Sequence, residues 1–278
     1  MNKTKYPIYI ISKGRWEPRQ TVKTMDHIGA AYRVVVEDNE YDKYAQYIDS
    51  EKLIRAENYS ELGQGSIPVR NFVWEHSMSE GHKKHWILDD NIVNIRRYNF
   101  NKKINCKTFK PFLACEDFTD RYENVRLSGM NYDYFCPTRL ARPPFTLNTR
   151  IYSCILIDNS LPFRWRGRFN EDTDLSLRVL KAGYCTILFN AFLIEKITTM
   201  KVKGGNTDSI YNNNSNRLDF AESLKEQHPD VVDVTWKFNR WHHHVNYRPF
   251  KKNMLKLKDG VVVPKVINEF GMELKRAK

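Results

Sequence analysis

Two separated groups of acidic side chains carry the chemistry available to this sequence. The first lies in "WILDDNI", where Asp89, Asp90 and Asn91 follow an apolar run with the character of a central strand. Oxygen ligands at the carboxyl end of such a strand suit Mg²⁺ or Mn²⁺, and open α/β sheets place their ligands there. A hard cation at that point bridges a diphosphate and neutralises the charge of a departing nucleoside diphosphate. Alternation puts Asp89 and Asn91 on one face and Asp90 on the other, unless the strand has already turned. The second group lies in "FNEDTDLSLRVLKAGY", where Asn170, Glu171, Asp172 and Asp174 open a helix that Asn170 or Thr173 would cap. Alone, each group has an ordinary explanation: an acidic turn after a strand, and carboxylates at the positive end of a helix dipole. Together they offer one carboxylate group fit for a metal and one fit to deprotonate a hydroxyl.

Further polar residues could share that crevice. Ser12, Lys13, Gly14 and Arg15 form a turn between the first strand and helix, suited to a phosphate or a nucleobase edge. No Gly-x-Gly-x-x-Gly or Walker pattern accompanies them, which argues against a kinase, NTPase or dehydrogenase. Arg70 and Asn71 are within reach, although an Arg on an amphipathic helix is ordinarily solvent-facing. In "RWHHHVNYRPFKKN", His242, His243 and His244 follow Trp241 and precede Tyr247, Arg248, Lys251 and Lys252. That mixture suits phosphate attraction and stacking on an extruded base.

The elements that must position these groups alternate β-rich and helical runs, the pattern of βαβ units and a largely parallel sheet. Strands are expected at 7–11 and 32–37, and a helix follows Pro18 with Val22, Met25 and Ile28 on one face. Further helices are expected over 39–48, through "IPVRNFVWEHSMSEG" with Val69, Phe72, Val73 and His76 on a shared face, and over 108–122. Residues 99–107 read as a basic turn. The second half continues with a β-like run in "NTRIYSCILIDN", a helix ended by Gly183, strands at 185–189 and 194–202, another helix and a basic tail.

With 278 residues the chain can bury one large core. No apolar run approaches the roughly 18–20 residues that span a bilayer, and no cleavable leader is evident, so a cytoplasmic protein is expected. Five cysteines, odd in number and widely spaced, suggest neither a disulfide framework nor a zinc site. A formal charge of +12 favours polyanionic partners. The basic candidates for contacting nucleic acid include Arg96, Arg97, Lys102, Lys103, Arg139, Arg142, Arg150, Arg164, Arg166 and Arg168, joined by Arg240, Arg248, Lys251 and Lys252 in the tail. Taken singly, each is better explained as an ordinary surface charge.

Three segments in order, "YIISKGR", "GSIPVRN" before "WILDDN", and "FNEDTDLSLRVLKAGY" after a basic loop, resemble the GT-A class of glycosyltransferases. With "NTRIYSCILIDN" and the histidine-rich tail, the chain is similar over essentially its whole length to the TET-associated glycosyltransferases of bacteriophages, which add sugars to hydroxymethylpyrimidines in phage DNA. The resemblance implies an α/β, GT-A-like fold: a single Rossmann-like nucleotide-sugar-binding domain with a mixed central sheet flanked by helices. Within 1–278, residues 1–100 would form the nucleotide-sugar half, 101–235 the acceptor half and 236–278 a basic aromatic tail.

It also implies roles. Ser12, Arg15 and Glu37 would surround the uridine of a UDP-sugar, with Lys13 also in the donor site, Arg70 and Asn71 would meet its pyrophosphate or ribose, and Asp89 the ribose. Asp89, Asp90 and Asn91 would hold Mn²⁺ or Mg²⁺, with His243 as a late additional ligand. The usual Asp-x-Asp stands here as Asp89-Asp90-Asn91, with a neutral third member. Asp172 would be the general base, supported or replaced by Glu171, in a single inverting displacement on a base such as 5-hydroxymethylcytosine. DNA would be the partner, with no membrane and no obligate protein partner, in the host cytoplasm. Two rivals remain open: a GT-A enzyme acting on a glycan, lipid-linked or protein acceptor, and a non-enzymatic DNA-binding module on a degenerate transferase scaffold.

Overall fold

Alternation along four strands divides the apolar side chains between two faces of one sheet. In the computed structural model, which describes residues 4–197, 214–262 and 267, these strands are β1 (Ile8–Ile11), β2 (Arg33–Glu37), β4 (Lys84–Asp89) and β9 (Cys154–Asp158). Ile8, Ile10, Val34, Val36, Trp86, Leu88, Cys154 and Leu156 belong to one buried cluster. Tyr9, Val35, Ile87, Ile155 and Ile157, one residue out of phase, belong to the other. A strand apolar on both faces needs cover on both. On the first face lie α1 (Gln20–His27), the short α2 (Tyr41–Ala45) and α4 (Lys110–Asp120), through Val22, Met25, Tyr44, Phe112 and Cys115. The second face is covered by α3 (Ile67–Ser79) and α5 (Glu171–Lys181), through Val73, Trp74, Leu175 and Val179.

The remaining strands are β3 (Leu53–Ala56), β5 (Ile92–Asn99), β6 (Lys102–Asn105), β7 (Val125–Tyr132), β8 (Phe145–Leu147) and β10 (Cys185–Lys196). The sheet runs β3-β2-β1-β4-β9-β7-β10-β5-β6, with β8 also paired to β10. Its first four strands are mutually parallel. β9 then enters antiparallel to both β4 and β7, so the sheet is mixed, as the resemblance implied, and parallel mainly in its first half. Beyond it, α6 (Asn214–Gln227) and the hairpin of β11 (Val232–Lys237) and β12 (Arg240–Val245) pack on α5 through Leu177, Leu180, Leu224 and Val232.

Several expectations change. The helix expected over 39–48 is a 3₁₀ turn, Asp38–Glu40, followed by five α-helical residues. Residues 102–105 form an edge strand rather than a turn, because Arg97 and Tyr98 of β5 pair with Ile104 and Lys103. Strands expected at 185–189 and 194–202 are one strand, β10, with an irregular register against β7 between Phe189 and Leu193; residues 198–202 lie outside the described set. Strand β7 escapes an apolar-pattern reading because Ser128 and Gly129 interrupt it. Gly129 is required there: a Cβ would stand 2.2 Å from the carbonyl oxygen of Cys154 on β9. The buried face of α3 is rotated from the expected one, with Arg70, Val73, Trp74 and Ser77 buried and Val69, Phe72 and His76 partly covered. The boundary placed at 236 falls inside β11.

All five cysteines are free, and no helix among the described residues is long and apolar enough to cross a membrane. His85 of β4 is fully buried, with Nδ1 2.6 Å from Asn159 Oδ1. Burial pushes its pKa down to about 4, below the unfolded value of about 6.5. Between these values the unfolded chain binds the extra proton, so His85 supports folding above pH 6.5 and loses that contribution as pH falls toward 4. The full contribution is on the order of 3 kcal/mol. Thermal unfolding at pH 7 and pH 5 is expected to show a larger drop for the wild type than for His85→Gln; equal drops would acquit His85.

Candidate active site

Three element ends converge on one crevice: the carboxyl end of β4, the first turns of α3 and the N-terminus of α5. Arg70 of α3 joins them. Its Nη2 donates to Asp89 Oδ1 at 3.1 Å, its Nε lies 3.4 Å from Glu171 Oε1, and its guanidinium sits 4.9 Å over the Trp165 ring. Ser66 bridges the same groups, accepting from Arg70 Nε and donating to Glu171 Oε1, each at 3.1 Å. The Arg is therefore interior and paired, not solvent-facing. Asn71 is committed elsewhere, since its side chain exchanges two hydrogen bonds with the backbone of Trp165, at 2.9 and 3.0 Å, and ties the loop before α5 to α3.

Asp89 carries a second cation. Lys196, the last residue of β10, donates to Asp89 Oδ2 at 2.6 Å and to Ser153 Oγ at 2.8 Å, while Ser153 donates to the same carboxylate at 2.7 Å. Burial alone would raise the pKa of Asp89; Lys196 and Arg70 outweigh it and hold the carboxyl far below its usual range. Asp90 turns the opposite way, ion-paired with buried Arg15 and accepting from Ser12 Oγ at 2.9 Å. Burial nevertheless pushes its pKa up. Ser12 and the backbone N–H of Arg15 both meet the Tyr44 hydroxyl, at 2.7 and 3.1 Å. Lys13 lies 3.7 Å from Glu37, whose carboxylate accepts from the amide and hydroxyl of Ser60 at 2.8 and 2.5 Å. Ser12, Lys13, Arg15 and Glu37 thus gather where β1 and β2 end.

At the start of α5, Asn170 takes the N-cap position with φ 55°, but its side chain donates to the Phe220 carbonyl of α6 rather than capping. Asp172 accepts from the Thr173 amide at 2.7 Å. Its charge acts on Arg150, Tyr132, Tyr152, His243 and Tyr247. Burial, with Asp172 alongside, raises the pKa of Glu171 against the pull of Arg70. Burial and then Arg150 lower His243 to about 4, so the imidazole is neutral at pH 7. Asp174 is spent inside the protein on Arg166, Arg178 and His228, at 2.8 to 2.9 Å.

The residues expected to hold a metal are not arranged for one. Asp89 and Asp90 diverge and are each ion-paired, and Asn91 Nδ2 donates to the Ile197 carbonyl, leaving its buried Oδ1 without a partner. Among the described residues no three acidic, His or Cys side chains come together as a metal-holding group, so His243 does not complete one with Asp89 and Asp90. To bind Asp89, a divalent ion would have to displace Lys196 or Arg70; as folded, the donors do not fit it.

Of the basic residues expected to meet DNA, Lys102, Arg139, Arg142, Arg168, Arg240, Arg248, Lys251 and Lys252 are exposed. Arg248 and Lys251 line a cleft of about 940 Å³ with Asn148, His244 and Tyr247; none of the carboxylates described above lines it, although Tyr247 feels the charge of Asp172. Arg166 is half-exposed and paired with Asp174, and Arg150 is drawn inward beside Asp172. Sequence inspection passed over Lys196, Ser153 and Tyr132. Ser153 lies within "NTRIYSCILIDN" and was the one with a visible signal; Lys196 is a lone Lys at a strand end.

A Rossmann-like half in a mixed central sheet, with an acidic strand end facing a carboxylate pair at a helix start, gives the chain a GT-A-like architecture. The TET-Associated Glycosyltransferase family model matches residues 6–205, and the chain belongs to that family. Comparison with curated proteins returns no match.

The buried Arg15–Asp90 pair makes a stability prediction. Removing one partner of such a pair strands the other charge and costs about 3–5 kcal/mol. Arg15→Met, which leaves the buried Asp90 carboxylate without its cation, is expected to lose that much in urea unfolding, and Arg15→Met/Asp90→Leu to recover most of it; a single replacement costing under about 1 kcal/mol would show that the pair is solvated.

Proposed function

We propose that this protein transfers a sugar from a UDP-sugar to the hydroxymethyl group of a modified pyrimidine in DNA, with 5-hydroxymethylcytosine as the favoured acceptor. It would do so as one catalytic domain in the cytoplasm of an infected host. The observation that carries this reading is Arg70, which links the strand-end carboxylate Asp89 to Glu171, beside Asp172, so that the donor and acceptor groups share one crevice. Ser12, Lys13, Arg15 and Glu37 would receive the uridine. Arg70 and Lys196 would face the diphosphate and stabilise its charge as it leaves.

The step is a single displacement. The hydroxymethyl oxygen attacks the anomeric carbon from the side opposite the diphosphate and forms the new C–O bond. The old bond breaks with its electron pair leaving on UDP, and the hydroxyl proton passes to Asp172. Inversion follows from one attack, and no covalent nucleophile is needed. Arg150, whose charge interacts with that of Asp172, would help to hold the acceptor end of the crevice in place. The formal charge of +12 and the exposed Arg and Lys residues support a polyanionic acceptor over a glycan or protein one.

Mass spectrometry of nucleosides from 5-hydroxymethylcytosine DNA, incubated with the protein and a panel of UDP-sugars, tests the assignment. A hexose-sized increment, absent with unmodified DNA, is expected. UDP-sugar hydrolysis without any increment would move the acceptor to a non-DNA hydroxyl or another base. Asp172→Asn is expected to lower transfer by roughly 10²–10⁴-fold while leaving DNA affinity unchanged. Undiminished transfer would remove Asp172 from the chemistry. DNA affinity itself should fall steeply between about 50 and 200 mM salt, and a flat salt response would contradict the phosphate contacts.

A further inference from the structure

The turn between β11 and β12 places an aromatic residue where the backbone disfavours it. Phe238 and Asn239 both have positive φ, 53° and 55°. Two-residue turns of this kind prefer Asn-Gly or Asp-Gly, because a Cβ is crowded at positive φ. Phe238 is 87% exposed, so its ring adds almost nothing to the core, and Lys237 and Arg240 flank the two-residue turn. Behind it, Trp236 and Trp241 face each other across the strands at 5.1 Å between centroids and remain 55% and 36% exposed.

Alternation along β12 puts Trp241, His243 and Val245 on one face. Val245 packs against the cluster beneath α5, and His243 lies within the field of Asp172 and Arg150. The tryptophan pair therefore continues outward from the proposed acceptor site along the strand, and Phe238 forms its tip. The β5–β6 turn is similar, with Phe100 at φ 47° and 90% exposed, but no exposed tryptophan pair stands behind it and none of its residues is among the groups acted on by Asp172.

We infer that the β11–β12 hairpin is a strand-opening wedge for duplex DNA: Phe238 enters the base stack, Lys237 and Arg240 hold the flanking phosphates, and the Trp236–Trp241 pair stacks on the nucleotide extruded toward Asp172. This rests on the DNA acceptor proposed above. Aromatic and apolar wedges that unstack a base step, and aromatic platforms that receive an unstacked base, are general devices for reaching a base otherwise held in a duplex.

Phe238→Asn tests it, because Asn tolerates positive φ and the fold is expected to be kept or stabilised. The full-length variant and wild type would be compared on one hydroxymethylated strand, alone and in duplex, and on an unmodified duplex carrying 2-aminopurine to report unstacking. Expected are a roughly tenfold or greater loss of transfer on the duplex, no loss on the single strand, unchanged UDP-sugar hydrolysis, and loss of the fluorescence rise caused by wild type. Trp236→Ala/Trp241→Ala should lower transfer to both substrates. Equal losses on duplex and single strand with Phe238→Asn, or none on either, would overturn the wedge. So would a shift from dimer to monomer with transfer otherwise intact, which would make the tip a contact between copies. A wild type that raises the 2-aminopurine signal through Phe238 yet transfers no sugar to DNA would uphold the wedge and defeat the acceptor assignment.

Discussion

A buried guanidinium between two carboxylates holds the candidate site together. Arg70 cannot be left unpaired in the interior, because an isolated charge out of water costs several kcal/mol, and Asp89 and Glu171 could not stand close without a cation between them. The three element ends must therefore meet as they do. Neighbouring Asn71 fixes the distance of approach by clasping the Trp165 backbone, and the Trp165 ring lies under the guanidinium. Helix α3 thus binds the loop before α5 and the end of β4 with two adjacent residues.

Charge in the crevice is nearly balanced before any substrate arrives. Asp89, Glu171 and Asp172 are set against Arg70, Lys196 and Arg150, while Asp90 is neutralised separately by Arg15 on the other side of the strand end. A diphosphate entering such a site meets cations already oriented by hydrogen bonds, so little reorganisation is needed as charge develops. The same balance explains why Asp89 and Asp90 make poor joint metal ligands here: each carboxylate already has its cation, and they face opposite ways.

The parts of the fold visible in the sequence were those built on local periodicity. The out-of-phase alternation of β1, β2 and β4 requires helices on both faces, and the helices ended at Gly29 and Gly183 are where 3.6-residue spacing places them. The parts that were not visible depended on partners distant in sequence. Strand β7 hides behind Ser128 and Gly129, because its demand for a missing Cβ comes from the backbone of β9. The edge strand β6 exists because β5 offers unpaired backbone groups, and α2 is short although its residues allowed a longer helix.

Amino-acid order by itself determined the α/β class, the two carboxylate groups, the family and the basic character, because these follow from residue type and short-range spacing. Only the tertiary structure decided which charges meet. It turned Arg70 inward, spent Asp174 and Asn71 on packing, and brought Lys196 to Asp89 from 107 positions away. It also carried His243 and Arg150 to Asp172. The physical reason is that a buried charge is satisfied by whichever opposite charge the folded backbone delivers, and that delivery depends on strand order and register rather than on local sequence.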